Sequence, residues 1–322
     1  MNFTISRRDA LAGLGGSLAA LNMPTLARAA DPLPVVRVSI VPIYAVSPHF
    51  AAMAQGYFEP EGITVTTVTV QGGSVGIPGL MGGSFDVLYS NAITNMTALE
   101  RGIDIRIFAD GAPIPTQPPD PGAVIIRKGE PIRTGKDLEG KVIAINARFD
   151  IQWLVMQGWV KKTGGDLSKI TYREVPLPSM LDALRAKQVD AALVLDPFMT
   201  IGLEDSAFER AAWALSTAMG GLPSSSWIVS GQTADTKPEL VRAYARGFAK
   251  GVAWINANLG KKPFFDLVAG YTRTDPKLME KMFVAGQPTS IDVNGYKRLI
   301  ELMKEYDLLK TTVPVESKIF KV

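Results

Sequence analysis

The chain has 322 residues, 47% apolar and 20% charged, which is enough for two ordinary domains with a sizeable core and lies outside disordered or fibrous compositions. It has no cysteine and one histidine, His49, which excludes disulfides, thiolate catalysis, cysteine-held zinc and cysteine-ligated iron–sulfur clusters. A formal charge of +3 without a Lys/Arg run is too small for a nucleic-acid binder.

Residues 1–30 read as a cleavable export signal. Ser6, Arg7 and Arg8 open it, a Gly/Ala/Leu stretch runs to Leu21, and Ala27 to Ala30 supply small residues before Asp31. The arginine pair after a serine resembles the twin-arginine signal, with Ala10 where that signal usually has Phe; a Sec signal is the alternative. Three glycines, Gly13, Gly15 and Gly16, weigh against a packed N-terminal helix, and the apolar run is too short to span a membrane. Removing the segment lowers the formal charge from +3 to +1 and places the mature protein in the periplasm.

From Val35 onward, β-rich runs alternate with helical stretches, the pattern of a parallel sheet covered by helices. Strands are expected over 35–41, 63–70, 85–89 and 103–109. Pro48 should open a helix that closes at Gly56, and Ser90 and Asn91 should cap another. Five prolines between Pro113 and Gly122 mark a loop and a domain crossing, either a stiffened hinge, a shield for the crevice rim, or a plain surface insertion. Strands resume over 123–127, 142–145, 170–174 and 190–195, with helices begun by Ile151 and Met180. After Ser230 the pattern is nearly all helix, with Val241, Tyr244, Phe248, Val252 and Ile255 on one stripe. The expected α/β architecture has two lobes, each a mostly parallel sheet flanked by helices. Lobe one comprises 31–111 and 229–322, to which the C-terminal helices return, and lobe two comprises 112–228.

An ordered set of short motifs carries a family resemblance. Gly56-Tyr57-Phe58-Glu59-Pro60-Glu61-Gly62-Ile63, the glycine turn Gln71-Gly72-Gly73-Ser74, Gly83-Ser84-Phe85-Asp86-Val87, Lys136 to Ala144, and Ala183 to Phe198 follow one another along the chain. The chain thereby resembles the periplasmic substrate-binding proteins of ABC importers for nitrate, taurine and aliphatic sulfonates, in the superfamily that includes pyrimidine-precursor binders. The resemblance implies the periplasmic-binding-protein type II, or Venus-flytrap, fold with a ligand in the crevice between lobes. It also implies an ABC permease and a separate ATPase as partners. The glycines read equally as caps and turns, and Asp86 and Asp190 as residues that fix where strands begin.

Open α/β sheets bind ligands at the carboxyl ends of their strands, and helix starts suit oxyanions. Candidate ligand-binding residues are therefore Tyr44, His49, Gly73, Ser74, Ser90 and Asn91 on one wall, and Asn146, Arg148 and Asp196 on the other. Arg148 offers a fixed charge and planar fork to an anion, unless it is a surface residue at a helix start. His49 is either a ligand contact or an ordinary first-turn residue. Tyr44 and Phe149 either stack on a flat ligand or belong to the core, and Trp227 is a lesser candidate. Asp196 either caps the helix after Pro197 or receives an amine.

The expected function is capture of a small anion, a sulfonate, nitrate or similar, for delivery to the permease. The alternatives are a pyrimidine or aromatic carboxylate ligand, or an exported enzyme or sensor partner using carboxylates such as Asp150 and Asp196. Gly135-Lys136-Asp137 lacks Walker spacing, and the cysteine motif of the related pyrimidine synthases is impossible here. The protein is expected to be a non-enzymatic monomer without cofactor, metal or nucleic-acid partner.

Overall fold

The structure, a computed structural model, describes residues 32–322; the export signal expected over 1–30 lies outside them. Lobe one begins with β1 (Val35–Ile40), α1 (Ser47–Ala54), β2 (Thr64–Thr69), α2 (Gly73–Met81), β3 (Val87–Asn91), α3 (Ala92–Glu100) and β4 (Ile105–Asp110). After a crossing, lobe two is built from β5 (Gly122–Arg127), β6 (Val142–Ile145), α4 (Ile151–Lys162), β7 (Thr171–Glu174), α5 (Met180–Arg185), β8 (Ala191–Leu195), α6 (Phe198–Glu204), β9 (Phe208–Ala212) and α7 (Leu215–Met219). The chain then returns through β10 (Ser225–Ser230), α8 (Gly231–Thr236), α9 (Pro238–Asn258), α10 (Lys262–Thr272), α11 (Pro276–Met279) and α12 (Val293–Glu305).

The two sheets have the orders β2-β1-β3-β10-β4 and β7-β6-β8-β5-β9. In each, four strands run the same way and one, β10 or β5, runs against its neighbours. The reason is mechanical. The chain leaves a lobe from the carboxyl end of a parallel strand, so it arrives beside the carboxyl ends of the other lobe's strands. The first strand after a crossing must therefore run away from the crevice.

β10 fills the gap between β3 and β4, pairing Trp227 with Tyr89 and with Ala109. The first sheet thus takes up the chain at Ser225, inside the segment 112–228 expected for lobe two, because the returning strand has to be complete to close that sheet. The two crossings also pair with each other. Ile114 N donates to Leu222 O (3.1 Å), Gly221 N donates to Ile114 O (2.9 Å), and Pro113 bridges Pro223. The proline-rich segment is thus one strand of a short hinge ribbon.

Two devices fix where strands begin, one in each lobe. Asp86 accepts from Arg37 N at 2.9 Å and holds the Arg37 guanidinium through both carboxylate oxygens. Asp190 accepts from Val142 N at 2.9 Å at the matching place in lobe two. The apolar stripe of α9 packs against α1, with Tyr244 and Phe248 buried beside Trp227. The C-terminal helices also touch lobe two. α11 packs on α6, Lys281 pairs with Glu204, and Lys161 of α4 pairs with Glu305 at 3.1 Å.

Candidate functional site

A cavity of about 80 Å³ lies between the lobes. Its lining comes from the carboxyl ends of β1, β3, β6 and β8 and from the starts of β5 and β10, as the strand directions require. The walls already touch: Tyr44 N donates to Asp196 O at 3.3 Å, and Gln71 Nε2 donates to Asn146 O at 3.2 Å.

On the first wall, α2 approaches β3 unusually closely because its inner face is glycine. A Cβ at Gly73 would collide with Ser90 Oγ, one at Gly76 would lie 2.6 Å from Leu88 Cδ1, and one at Gly79 would lie 2.5 Å from Phe85 Cε2. That packing sets the glycine turn at the cavity. Asn91 ends β3 and accepts from Thr94 N at 2.9 Å, so its side chain is committed to starting α3. Tyr89 donates to Ser225 Oγ at 2.8 Å and Ser224 Oγ to Ala112 O at 2.5 Å, which ties the hinge to the first sheet.

On the second wall, Phe149 adopts φ 60° and turns the chain so that Asp150, not Arg148, faces inward. Asp150 Oδ1 accepts from Gln152 N (2.9 Å) and Trp153 N (3.3 Å), capping α4. Asp196 Oδ1 likewise accepts from Thr200 N (3.0 Å) and Thr200 Oγ1 (2.7 Å) at the start of α6. The second oxygen of each carboxylate, Oδ2, is buried and finds no partner among the described residues; Asn146 Oδ1 and Gln152 Nε2 are in the same condition. Burial pushes both acids up to about 7, and Glu174 adds to the rise at Asp150. Burial also raises the phenols of Tyr44 and Tyr89, the latter to about 12, so both remain neutral donors. No Lys or Arg is among the described lining residues.

Five expected residues, Tyr44, Gly73, Asn91, Asn146 and Asp196, meet at the cavity, and Ser74 follows Gly73 in α2. Three others do not line it. His49 is buried in lobe one between Tyr244 OH (2.9 Å from Nδ1) and Thr67 Oγ1 (2.8 Å from Nε2), and burial lowers its pKa to about 3. It lies on the core side of α1, where it completes an aromatic cluster with Phe58 and Trp227. Ser90 is buried under Gly73 and supports the turn from below. Arg148 is exposed, its guanidinium donating to Tyr172 O at 3.0 Å and its backbone N to Glu174 Oε1 at 2.6 Å, which draws it to the edge strand β7. Phe149 is exposed and Trp227 is enclosed within the first lobe. Gln152 was not expected at the cavity, and Asp150 was expected only as an acid of the enzyme alternative. An Asp directly before the apolar run Ile151, Leu154, Val155 signals a helix cap, but nothing in that signal shows where its second oxygen points.

The family model described as "NMT1/THI5 like" matches residues 44–258. No curated protein sequence matches the chain. Among solved structures, the chain is similar to the alkanesulfonate-binding protein SsuA from Xanthomonas axonopodis pv. citri bound to MOPS (19% identity, TM-score 0.74, covering 91% of this chain and 100% of that one). It is also similar to the ligand-binding component of an ABC-type import system from Staphylococcus aureus with zinc bound (14%, TM-score 0.75, 89% and 96%). A third likeness is to the periplasmic nitrate-binding protein NrtA from Synechocystis PCC 6803 (11%, TM-score 0.70, 88% and 84%). At these identities the likeness establishes the fold, the two-lobed periplasmic-binding-protein architecture.

Proposed function

From the premise that the chain belongs to the NMT1/THI5-like family, we propose that it is the extracytoplasmic solute-binding component of an ABC importer, exported to the periplasm and acting without catalysis. The observation that carries this reading is a cavity shared by two lobes that are joined through one hinge ribbon. Lobe one is taken as 33–111 with 225–322, and lobe two as 122–219. A ligand engaged by both walls selects the closed form, because only that form makes both sets of contacts. A permease, with its separate ATPase, then distinguishes the loaded monomer from the empty one.

The solute-binding neighbours named for sulfonate and nitrate favour an anion as ligand, although no basic side chain is among the described lining residues. The test is small-angle scattering with native mass spectrometry of the full chain across a panel of small solutes. A binding solute is expected to lower the radius of gyration and to be recovered intact on release. Unchanged scattering at saturation refutes clamp closure, and recovery of a converted product favours the enzyme reading, for which Asp150 and Asp196 are the available acids.

A further inference from the structure

We propose that the crevice takes a small ligand presenting a cationic nitrogen, an amine or amidinium, to the free carboxylate oxygens of Asp150 and Asp196; this rests on the solute-binding reading above.

The argument is one of unmet hydrogen bonds. A buried polar atom without a partner is costly, and each one in a native structure calls for an explanation. Of the buried side-chain atoms without a partner at this cavity, three are acceptors, Asp150 Oδ2, Asp196 Oδ2 and Asn146 Oδ1, and one is a donor, Gln152 Nε2; the neutral Tyr44 phenol is a further donor in the lining. An amide can present either end to a ligand, but an ionised carboxylate only accepts. The two aspartates therefore carry the inference. Their environment supplies no cation: no Lys or Arg lines the cavity among the described residues.

The helix starts point the same way. A helix N-terminus attracts an anion, yet on the second wall α4 and α6 already have their own carboxylates on those N–H groups. An incoming anion would find the positions taken and would face two acids in an apolar enclosure, where like charges interact strongly. A nitrogen cation instead completes both carboxylates, and charge-assisted hydrogen bonds of this kind are the strong ones. The groups bearing on the pair are few. Glu174, on β7, disfavours ionisation of Asp150 while the Asn146 side chain favours it; at Asp196 the Phe283 backbone favours the ionised form, and the neutral Tyr44 phenol lies nearby.

The opposite possibility is that the two acids stay protonated and donate to an anionic ligand. It predicts the opposite pH dependence, since both groups titrate near pH 7. Calorimetric titration of the full chain with two isosteric pairs, acetamidinium with acetate and benzamidinium with benzoate, at pH 6 and pH 8 separates the two. At pH 8 an amidinium is expected to bind at least tenfold more tightly than its carboxylate partner. Its affinity is expected to fall about tenfold at pH 6 for each carboxylate engaged. Asp196→Asn and Asp150→Asn keep the helix caps, since Asn also caps, and each is expected to cost about tenfold and flatten the pH slope. If either variant fails to fold, the wild-type pH comparison decides alone.

Carboxylates that bind as tightly as amidinium ions, or an amidinium affinity that rises as pH falls, overturn the proposal, as does absence of amidinium binding. Compaction with methanesulfonate or nitrate in that last case leaves the solute-binding reading standing, whereas no compaction with any of these solutes removes both.

Discussion

Replacing Asp196 with asparagine should stabilise the empty protein at alkaline pH and scarcely affect it in acid. The wild-type residue is fully buried, and Asn retains an acceptor for Thr200 N and Thr200 Oγ1 while substituting an uncharged amide for the unpartnered Oδ2. Its pKa rises from 3.8 to about 7 on folding, so the folded state holds a proton more tightly than the unfolded chain. The stability contributed by that proton is complete below pH 3.8 and is lost as pH rises through 7. Between pH 5 and pH 8 the unfolded acid is ionised throughout, while the folded one goes from neutral to charged. Integrating the difference, the wild type loses about 2.5 kcal/mol that the asparagine variant keeps. Urea unfolding of both proteins at pH 5, 6.5 and 8 measures this directly. A stability difference that stays constant across the range, or grows toward acid, would falsify the claim that Asp196 is a buried acid without a counter-charge.

His49→Ala should lower unfolding stability by about 2–4 kcal/mol through loss of packing and of two buried hydrogen bonds, with ligand affinity changed less than twofold; a tenfold loss in calorimetry would return His49 to the site. Because burial depresses its pKa to about 3, folding excludes a proton there. The stability His49 contributes is present above pH 6.5 and is lost as pH falls toward 3, the reverse of Asp196. Gly76→Val should cost about 1–3 kcal/mol, the range for overpacking, because Leu88 occupies the space a side chain needs; an unchanged melting temperature would mean that α2 does not bear on β3 as described. Arg148→Ala should leave affinity within twofold and stability within about 0.5 kcal/mol, and an order-of-magnitude loss of binding would show that the exposed guanidinium reaches the ligand.

Periodicity and turn chemistry made most of the scaffold readable. β1 to β8 fall where β-branched runs stand between glycines and caps, and Asn91 caps α3 as its place after Tyr89 and Ser90 suggests. β9 and β10 were not readable: Phe208–Ala212 is an edge strand carrying four charged or small residues in five, and Ser225–Ser230 has serines at both ends. Each acquires its identity from neighbours distant in sequence, β5 for the one and β3 with β4 for the other. The site was readable as a set of strand ends and only partly as side chains. One residue of rotation decides whether Arg148 or Asp150 faces the cavity, and that rotation comes from the positive φ of Phe149, a property that no pattern of apolar spacing reveals. His49 misled for a related reason: α1 has its start near the crevice, but the histidine's own face of the helix is turned toward α9.

The paired crossings have a consequence for how the molecule signals. Two independent linkers would let the lobes shear and swivel as well as open. Here Ile114 is hydrogen-bonded to both Gly221 and Leu222, and Gly111 N donates to Ser225 O at 2.9 Å. The connection is a narrow ladder, easy to bend across its width and resistant to twist about its length. Occupancy is thereby translated into a single angle, and a surface spanning both lobes can read that angle without touching the solute.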